Sequence, residues 1–243
     1  MTESTIRIGC AGWTIPADAA ADFPAGETHL QRYASRFTAV EINTTFNKAH
    51  RRKTYKSWAA SVPAHFRFAV KLPKQVTHIS RLADLAAVGY FLPDVCSLGD
   101  KLGPLLMQLP PSLSFDASLV GRFLDYLRAH FAGSVVCEPR HASWFVPEAD
   151  RLLASFRVAR VAADPAPVPT NGHPGGWPGL VYYRLHGSPR IYYSPYSNSY
   201  LDTLALSLTE AARTAEVWCI FDNTASGAAV GNALHLLDQL KQQ

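Results

Sequence analysis

A short apolar run that ends in a polar or charged residue recurs along this chain and constrains its fold more than any other feature. The clearest examples, in chain order, are TAVEIN, FRFAVK, LLMQLP, VVCEPRH, VARVAAD, VYYRLHG and VWCIFDN. An apolar run of this length is typical of a strand that is buried on both faces of its sheet. Because a charge at the end of such a strand is expensive to bury, the repeated charges predict ion-pair partners or one shared polar site.

Segments with helical periodicity lie between most of these runs, and this alternation predicts the fold class. Eight strands are expected, at residues 6–10, 38–42, 66–71, 105–109, 135–138, 158–163, 180–185 and 217–221. Eightfold strand–helix alternation predicts an α/β fold, a single (β/α)8 TIM-type barrel with parallel strands and outer helices. A doubly wound open sheet is the competing fold, but the first turn, GCAGWTIP, is not a G-x-G-x-x-G fingerprint.

Domain organisation and helix starts follow from the same pattern. No linker or low-complexity segment interrupts the chain, so one barrel domain over residues 1–243 is expected, with the Pro- and Gly-rich stretch 164–179 as a long loop. Thr28 and Asp116 are expected to cap helices, and Pro147 is expected in a first turn.

Composition narrows the class of protein. The chain has 243 residues and is 48% hydrophobic, which suffices for a large core. Its formal net charge of +4 suits an anionic ligand but is far weaker than that of a dedicated nucleic-acid-binding domain. No N-terminal segment is typical of a signal peptide, and no apolar segment approaches membrane-spanning length. We therefore predict a cytoplasmic protein without a membrane partner, and the sequence does not indicate its oligomeric state.

The polar residues at the predicted strand ends are the candidate functional residues. In a parallel barrel the catalytic groups lie at the carboxyl ends of the strands. Side chains two positions apart on a strand share a face, which predicts that several of these residues converge. The residues at these positions are Trp13, Glu41, Asn43, Lys71, Gln108, Glu138, Arg140, Asp164, Arg184, His186, Asp222 and Asn223.

General acid–base chemistry is the first interpretation of this set. Glu41 and Glu138 are the acid and base candidates, because neighbouring cations can separate the pKa values of two carboxylates. Lys71 and His186 complete the catalytic candidates. A barrel lysine such as Lys71 can form a Schiff base when burial lowers its pKa, but a salt bridge to a carboxylate is the favoured expectation here.

Two other interpretations stay open. Glu138, Asp164 and Asp222 have the right chemistry to bind a divalent metal, although nearby Lys and Arg side chains would repel a cation, and no other cofactor is indicated. The third interpretation is an ion-pair network that closes one end of the barrel. Such a network accounts well for any single one of these residues. It accounts less well for the whole set, because apolar side chains would close the end of a barrel at a lower cost in free energy.

Two loops add ligand-binding candidates. The loop after the last strand, DNTASGAAVGNA, predicts an anion site in which the small Ser226 leaves backbone N–H groups free, although Ser226 could instead cap the final helix. Arg184 and Asn223 lie at the adjacent strand ends. The preceding loop, GSPRIYYSPYSNSY, contains Tyr196 among four tyrosines that could stack on a ring or pack on the barrel rim.

Residues 50–58, HRRKTYKSW, combine basic and aromatic side chains. Such a segment fits contact with a phosphate backbone, so a non-catalytic nucleic-acid-binding protein is an alternative function. A solvated helix face is the more common explanation and is preferred here. A metal-assisted phosphoester hydrolase in the same barrel is a further alternative.

Eight blocks of the chain resemble a known family. They are GCAGWTIP, VEINTTF, FAVKLPKQVTH, KLGPLLMQLPPS, CEPRHASWF, AADPAPVP, YYRLHGSP and FDNTASGAAVGNA, and in this order they resemble the signature blocks of the YecE-like family, domain of unknown function 72. The resemblance covers nearly the whole chain and implies a (β/α) barrel, but it implies no established reaction. Asn47 and Pro139 stand where the common form has Tyr and Phe, which indicates a subgroup.

These observations lead to one preferred function. We expect a barrel protein of enzyme type whose site, at the carboxyl ends of the strands, binds a small anionic ligand that is phosphorylated or nucleotide-like. Glu41 and Glu138 would supply acid–base chemistry. The residues expected to bind the ligand are Trp13, Asn43, Gln108, Arg140, Arg184, Tyr196, Asn223 and Ser226.

Overall fold

Strands alternate with helices along the chain in the computed structural model, which describes residues 6–168 and 172–242. The described residues form ten strands: β1 Ile6–Cys10, β2 Ala39–Ile42, β3 Arg67–Lys71, β4 Leu102–Gln108, β5 Val135–Glu138, β6 Val158–Arg160, β7 Ala162–Asp164, β8 Gly175–Gly176, β9 Leu180–Leu185 and β10 Glu216–Phe221. All eight predicted strands are present. The predicted sixth strand is divided at Val161 into β6 and β7.

One strand begins earlier than the sequence predicts. β4 starts at Leu102, three residues before the predicted start at Leu105, and contains Pro104. Proline cannot donate a ladder hydrogen bond, so a strand is not expected to continue through it. Pro104 lies at an irregularity of the β3–β4 pairing, where the register shifts from Phe68 to Val70.

The strands form two sheets. One sheet has the order β1–β10–β9–β7, and the other has the order β2–β3–β4–β5–β6–β8. Neighbouring strands pair in parallel except for β6 and β8, which pair antiparallel. The α/β class with parallel strands is therefore confirmed. The antiparallel β8 lies inside the stretch 164–179 that the sequence predicts to be only a loop, so the second sheet is mixed.

Helices connect the strands and cover the sheets. In the described part of the chain the α-helices are α1 His29–Ala34, α2 Arg52–Ala60, α3 Leu85–Val95, α4 Ala117–His130, α5 Pro147–Ser155, α6 Asn198–Ala211 and α7 Ala228–Lys241. Short 3-10 helices occur at Ala17–Asp22, Thr44–Phe46, Cys96–Lys101 and Ala142–Trp144, and one π-helical turn occurs at Gln75–Ile79. Thr28 forms a capping box with Gln31, and Asp116 accepts the N–H groups of Ser118 and Leu119, so both predicted caps are confirmed.

Strand side chains alternate between two apolar clusters. One cluster lies under the helices, and the other consists mainly of side chains from strands of both sheets, including Ala39, Val136 and Ile220. Glu41, Glu138 and Asp222 each follow one of these three apolar residues by two positions. Because strand side chains alternate, the acids face the same side of the sheets as the apolar side chains. The sheets therefore hold the polar strand ends directly above an apolar layer.

A tyrosine hydroxyl joins β1 to β2. Tyr33 Oη accepts the Cys10 N–H at 2.7 Å and donates to the Ala39 carbonyl at 3.0 Å. The hydroxyl takes the place of a direct backbone hydrogen bond between the two strands. Further along, the Gly12 N–H donates to the Glu41 carbonyl at 2.9 Å, and Ala11 forms a parallel bridge with Glu41.

Replacing Tyr33 with phenylalanine is expected to lower the free energy of unfolding by about 1–3 kcal/mol, because it leaves a buried donor and a buried acceptor unpaired. Urea denaturation at neutral pH measures this loss. Tyr90→Phe is the matched control, since Tyr90 is 81% exposed and should tolerate the change. Equal stability of the Tyr33→Phe variant and the unmodified protein would contradict the bridging role.

No helix in the described ranges has both the length and the apolar character needed to cross a membrane.

Candidate functional site

Arg184 lies at the centre of the polar strand ends and is completely buried. Its Nη2 donates to Glu41 Oε1 at 2.8 Å, and its Nη1 donates to Glu138 Oε2 at 3.2 Å. The same Nη2 lies 3.0 Å from Asp222 Oδ2. One guanidinium from β9 therefore contacts three acids from the ends of β2, β5 and β10. The sequence predicts this convergence, and the geometry has the character of an interlocked ion-pair network.

His186 lies between two of the same carboxylates. Its Nδ1 is 3.0 Å from Asp222 Oδ2, and its Nε2 is 2.8 Å from Glu138 Oε1. Both ring nitrogens therefore lie within hydrogen-bond distance of a carboxylate oxygen. Arg140 Nη2 reaches the same Glu138 Oε1 at 2.9 Å and crowds His186 Nε2 at 2.7 Å. Because an ionised carboxylate oxygen only accepts hydrogen bonds, we assign the His186 Nε2–H and the Arg140 guanidinium as two donors to Glu138 Oε1.

Opposite charges at these strand ends stabilise the ionised forms of Glu138, Asp222 and Arg184. Burial raises the pKa of Glu138, but Arg184, His186 and Arg140 outweigh burial and hold that pKa well below its usual range. Burial likewise opposes ionisation of Asp222, and Arg184 together with a hydrogen bond from His186 lowers its pKa. The Arg184 pKa is raised because Asp222, Glu41 and Glu138 outweigh its own burial.

Two neutral side chains complete the network. Tyr182, buried on β9, donates its hydroxyl to Glu41 Oε2 at 2.8 Å. In the amide orientation that satisfies both its polar atoms, Asn43 donates to Glu41 Oε1 at 2.9 Å and accepts from Arg184 Nη2 at 3.3 Å. We call this group the Arg184 cluster; it comprises Glu41, Asn43, Glu138, Arg140, Tyr182, Arg184, His186 and Asp222.

An open pocket of about 530 Å³ lies beside the cluster. We call it the Lys71 pocket; its lining residues are Phe46, Lys71, Lys74, His78, Gln108, Leu109, Pro111, Arg140, Ile191 and Tyr192. Three of these residues are Lys or Arg, and none is Asp or Glu. The acids of the Arg184 cluster are buried behind this wall, so the pocket presents positive charge to a ligand.

Lys71 ends β3 and does not form the salt bridge that the sequence predicts. Within residues 6–168 and 172–242, its ammonium makes no ion pair within 4.0 Å and no side-chain hydrogen bond. It lies instead over the Phe46 ring, with Nζ 4.4 Å from the ring centroid. Its carboxylate neighbours are engaged by Arg184 and His186. Burial, and then the charge of Arg184, lower the Lys71 pKa to about 8, while Glu41, Glu138 and Asp222 oppose the shift.

Five predicted site residues belong neither to the Arg184 cluster nor to the lining of the Lys71 pocket. Trp13 packs edge-on against Trp58, with centroids 5.1 Å apart. Tyr196 is buried and donates to Asp164 Oδ1 at 2.8 Å, so these two residues satisfy each other. Asn223 Nδ2 donates to the Ser194 carbonyl and to Asn232, which fixes the loop rather than a ligand.

Ser226 is the fifth of these residues. It is exposed, and its hydroxyl donates to the Tyr193 carbonyl at 2.6 Å. Gly227, not Ser226, is the N-cap of α7, and no side chain caps that helix. The backbone N–H groups of Ala225, Gly227 and Ala229 donate to carbonyls within the protein, so these three donors are not free to bind the predicted anion.

The predicted metal ligands do not surround a common point. Glu138 and Asp222 enclose His186 and Arg184, whereas Asp164 is bound to Tyr196. Across the described ranges, no group of three or more His, Cys, Asp or Glu side chains is arranged to hold a metal ion. A divalent metal at Glu138 and Asp222 would compete with the guanidinium of Arg184, which contacts both carboxylates.

Sequence reasoning misses several residues of the site. Tyr182 shares a face with Arg184 and His186, and strict alternation along VYYRLHG is the signal that identifies it. Phe46 and Lys74 follow strand ends within the VEINTTF and KLPK segments. Tyr192 is one of the four loop tyrosines considered from the sequence, but its positive φ of 70° and the edge-on contact of its ring with His186 are not indicated there.

The basic segment 50–58 is only partly exposed. Tyr55 is buried at 1% exposure, and Trp58 packs against Trp13 and the core. The Tyr55 ring is therefore not available to stack on bases and the Trp58 ring is only partly exposed, while Arg51, Lys53 and Lys56 are exposed.

Comparison with known proteins identifies the family. The model of the family described as protein of unknown function DUF72 matches residues 7–243. The chain belongs to the DUF72 family. It is 30% identical to the UPF0759 protein YecE of Escherichia coli over 172 residues, which cover 67% of this chain and 60% of YecE. The UPF0759 protein YunF of Bacillus subtilis is 29% identical over 171 residues, which cover 63% of this chain and 57% of YunF.

Solved DUF72 structures share the fold. A DUF72 protein of Enterococcus faecalis matches with a TM-score of 0.83 at 20% identity, covering 98% of this chain and 96% of the other. A DUF72 protein of Thermotoga maritima matches with a TM-score of 0.79 at 24% identity, covering 98% and 99% of the two chains. The resemblance seen in the sequence blocks is confirmed as family membership. At these identities the structural likeness concerns the fold alone.

Proposed function

We propose that this DUF72 protein binds a small organic anion in the Lys71 pocket and acts on it there as an enzyme. The observation that carries this proposal is the composition of the pocket wall, in which Lys71, Lys74 and Arg140 occur without any Asp or Glu. A carboxylate or phosphate group would contact these cations. Phe46 and Tyr192 would contact an apolar or planar part of the same ligand, as in a phosphorylated or nucleotide-like compound.

The complete burial of the two glutamates that the sequence predicts to be acid and base favours a different assignment of the reacting groups. Glu41 and Glu138 are fully buried, and neither lines the pocket. A catalytic acid or base must come within hydrogen-bond reach of its substrate. We therefore propose that the Arg184 cluster holds Arg140 in place through Glu138, and that the reacting side chain is Lys71 in the pocket wall.

We also infer that the two sheets form one closed barrel of eight principal strands. At one junction, Tyr33 and the Gly12–Glu41 hydrogen bond connect β1 to β2. At the other junction, β6 pairs with β5 and β7 pairs with β9, so residues 158–164 pair with both sheets. A barrel would bring all strand ends of the Arg184 cluster to one rim, as their contacts require.

Replacing Lys74 with glutamine is expected to weaken anion binding about threefold to tenfold, since it removes one charge contact from the pocket wall. Glycerol 3-phosphate and lactate serve as probes, with dissociation constants from ligand-detected NMR at low salt.

Lys53→Gln is the matched control, because it removes the same charge from an exposed position on α2. Equal weakening by both substitutions would indicate a general charge effect and would contradict the pocket. Failure of every probe to bind at millimolar concentration would overturn the proposed function. Binding of single-stranded DNA that weakens steeply with salt and depends on Lys53 would instead favour the nucleic-acid alternative.

A further inference from the structure

We propose that Lys71 is a nucleophile that forms an imine with a carbonyl group of the bound anion, an inference that rests on the proposed function of the Lys71 pocket. The substrate class is therefore a carbonyl compound with an acidic group, such as a 2-oxo acid or a phosphorylated ketone. The starting observation is geometric: a partly buried amine ends strand β3, lines an open pocket and has no ion-pair partner among the described residues.

The surroundings of Lys71 leave its nitrogen able to react. Its nearest acids, Glu41, Glu138 and Asp222, are bound by Arg184 and other donors, so they do not hold the ammonium in a salt bridge. The Phe46 ring lies against the amine on one side. Low solvation and neighbouring positive charge both favour the neutral amine, which carries the lone pair that attacks a carbonyl. With a pKa of about 8, roughly a tenth of the amine is neutral at pH 7.

The rest of the pocket matches an anionic carbonyl compound. Arg140 and Lys74 can bind the acidic group, and Gln108 can donate its amide N–H to the carbonyl oxygen. His78 and Tyr192 line the same wall and are groups that carry protons. An imine adjacent to these cations would keep the acidic group bound while the carbonyl carbon is attached to Lys71.

The reaction balances without any further reagent. The lone pair of the neutral Lys71 amine forms a C–N bond to the carbonyl carbon, and the C=O π pair moves to oxygen. One proton passes from nitrogen to that oxygen, which gives a carbinolamine. The oxygen then takes a second proton from the solvent, the C–O bond breaks as water leaves with that bonding pair, and the nitrogen lone pair forms the C=N bond of a protonated imine.

Reductive trapping tests this inference. The protein is incubated with pyruvate or with dihydroxyacetone phosphate in the presence of sodium cyanoborohydride, which reduces an imine to a stable secondary amine. Peptide mass spectrometry then locates the adduct among the chain's seven lysines. We expect modification of Lys71 to exceed that of any other lysine by about tenfold and to increase between pH 6 and pH 8, as the amine loses its proton.

Matched compounds and variants separate this inference from the proposed function. Lactate and glycerol 3-phosphate carry the same acidic groups without a carbonyl, so they should bind without forming an adduct. Lys71→Arg keeps the positive charge and should abolish the adduct, whereas Lys74→Arg should retain it. Binding of both compound pairs without an adduct at Lys71 would overturn the imine and leave the anion pocket intact. Absence of all binding would overturn both proposals, and equal labelling of all lysines would also overturn the imine.

Discussion

Replacing Arg184 with methionine is expected to lower the free energy of unfolding by about 3–5 kcal/mol, because it leaves buried carboxylates without their shared cation. Glu41 and Glu138 are fully buried, and Asp222 is 6% exposed, so water cannot replace the guanidinium. Methionine is close to arginine's stem in length but supplies no charge and no donors. Urea denaturation at pH 7, followed by circular dichroism, measures the loss.

The acid pH range provides an independent test of the same ion pairs. The pKa values of Glu138 and Asp222 are lowered in the folded protein, so their contribution to stability is present at neutral pH and is lost as the pH falls through the folded-state values. The cost of Arg184→Met should therefore be largest at pH 7 and smaller below about pH 4, where unpaired carboxylates become protonated.

An exposed arginine serves as the control for this substitution. Arg213 forms an ion pair with Glu210 in which both side chains are about 70% exposed. Arg213→Met should leave stability nearly unchanged, because such surface pairs contribute little. If the Arg184 and Arg213 variants were equally stable at pH 7, the Arg184 cluster could not be the buried ion-pair network described above.

The sequence predicts the strands well because their signal is local. An apolar run such as FAVK or VWCIF identifies its strand whatever it pairs with, and Asp116 identifies the start of α4. Strand pairing depends on residues far apart in the chain. The residues of one segment alone therefore do not predict that β8 pairs antiparallel or that the predicted sixth strand is divided at Val161. The proposed closed barrel depends on two such junctions, which is why the alternation pattern alone does not determine it.

The sequence also predicts which residues converge but not which of them face a ligand. Alternation correctly brings Glu41, Glu138 and Arg184 together. Whether a charged side chain at a strand end is buried or lines a pocket depends on its neighbours from other strands. Glu41 and Glu138 both pair with Arg184 and are fully buried. The expected salt bridge of Lys71 is wrong for the same reason, since Arg184 and His186 occupy the acids that would have formed it.

Replacing Gly9 with alanine is expected to lower the free energy of unfolding by about 1–3 kcal/mol or more, because β1 and β2 approach each other there without room for a methyl group. A Cβ atom at Gly9 would lie 2.0 Å from the Ala39 carbonyl oxygen and 2.6 Å from its carbon. Both of these are backbone atoms, so the strands themselves would have to separate. That separation would also lengthen the two hydrogen bonds of the Tyr33 hydroxyl, which join the same strands.

The same substitution at Gly121 is the control and should have the opposite sign. Gly121 lies inside α4, and a Cβ atom there would meet nothing within 4 Å. Alanine is the better helix former by about 0.5–1 kcal/mol, so Gly121→Ala should stabilise the protein by that amount. Thermal and urea unfolding of the two variants compare them directly. A Gly9→Ala variant as stable as the unmodified protein would mean that β1 and β2 are further apart, and the proposed barrel would then be open at that junction.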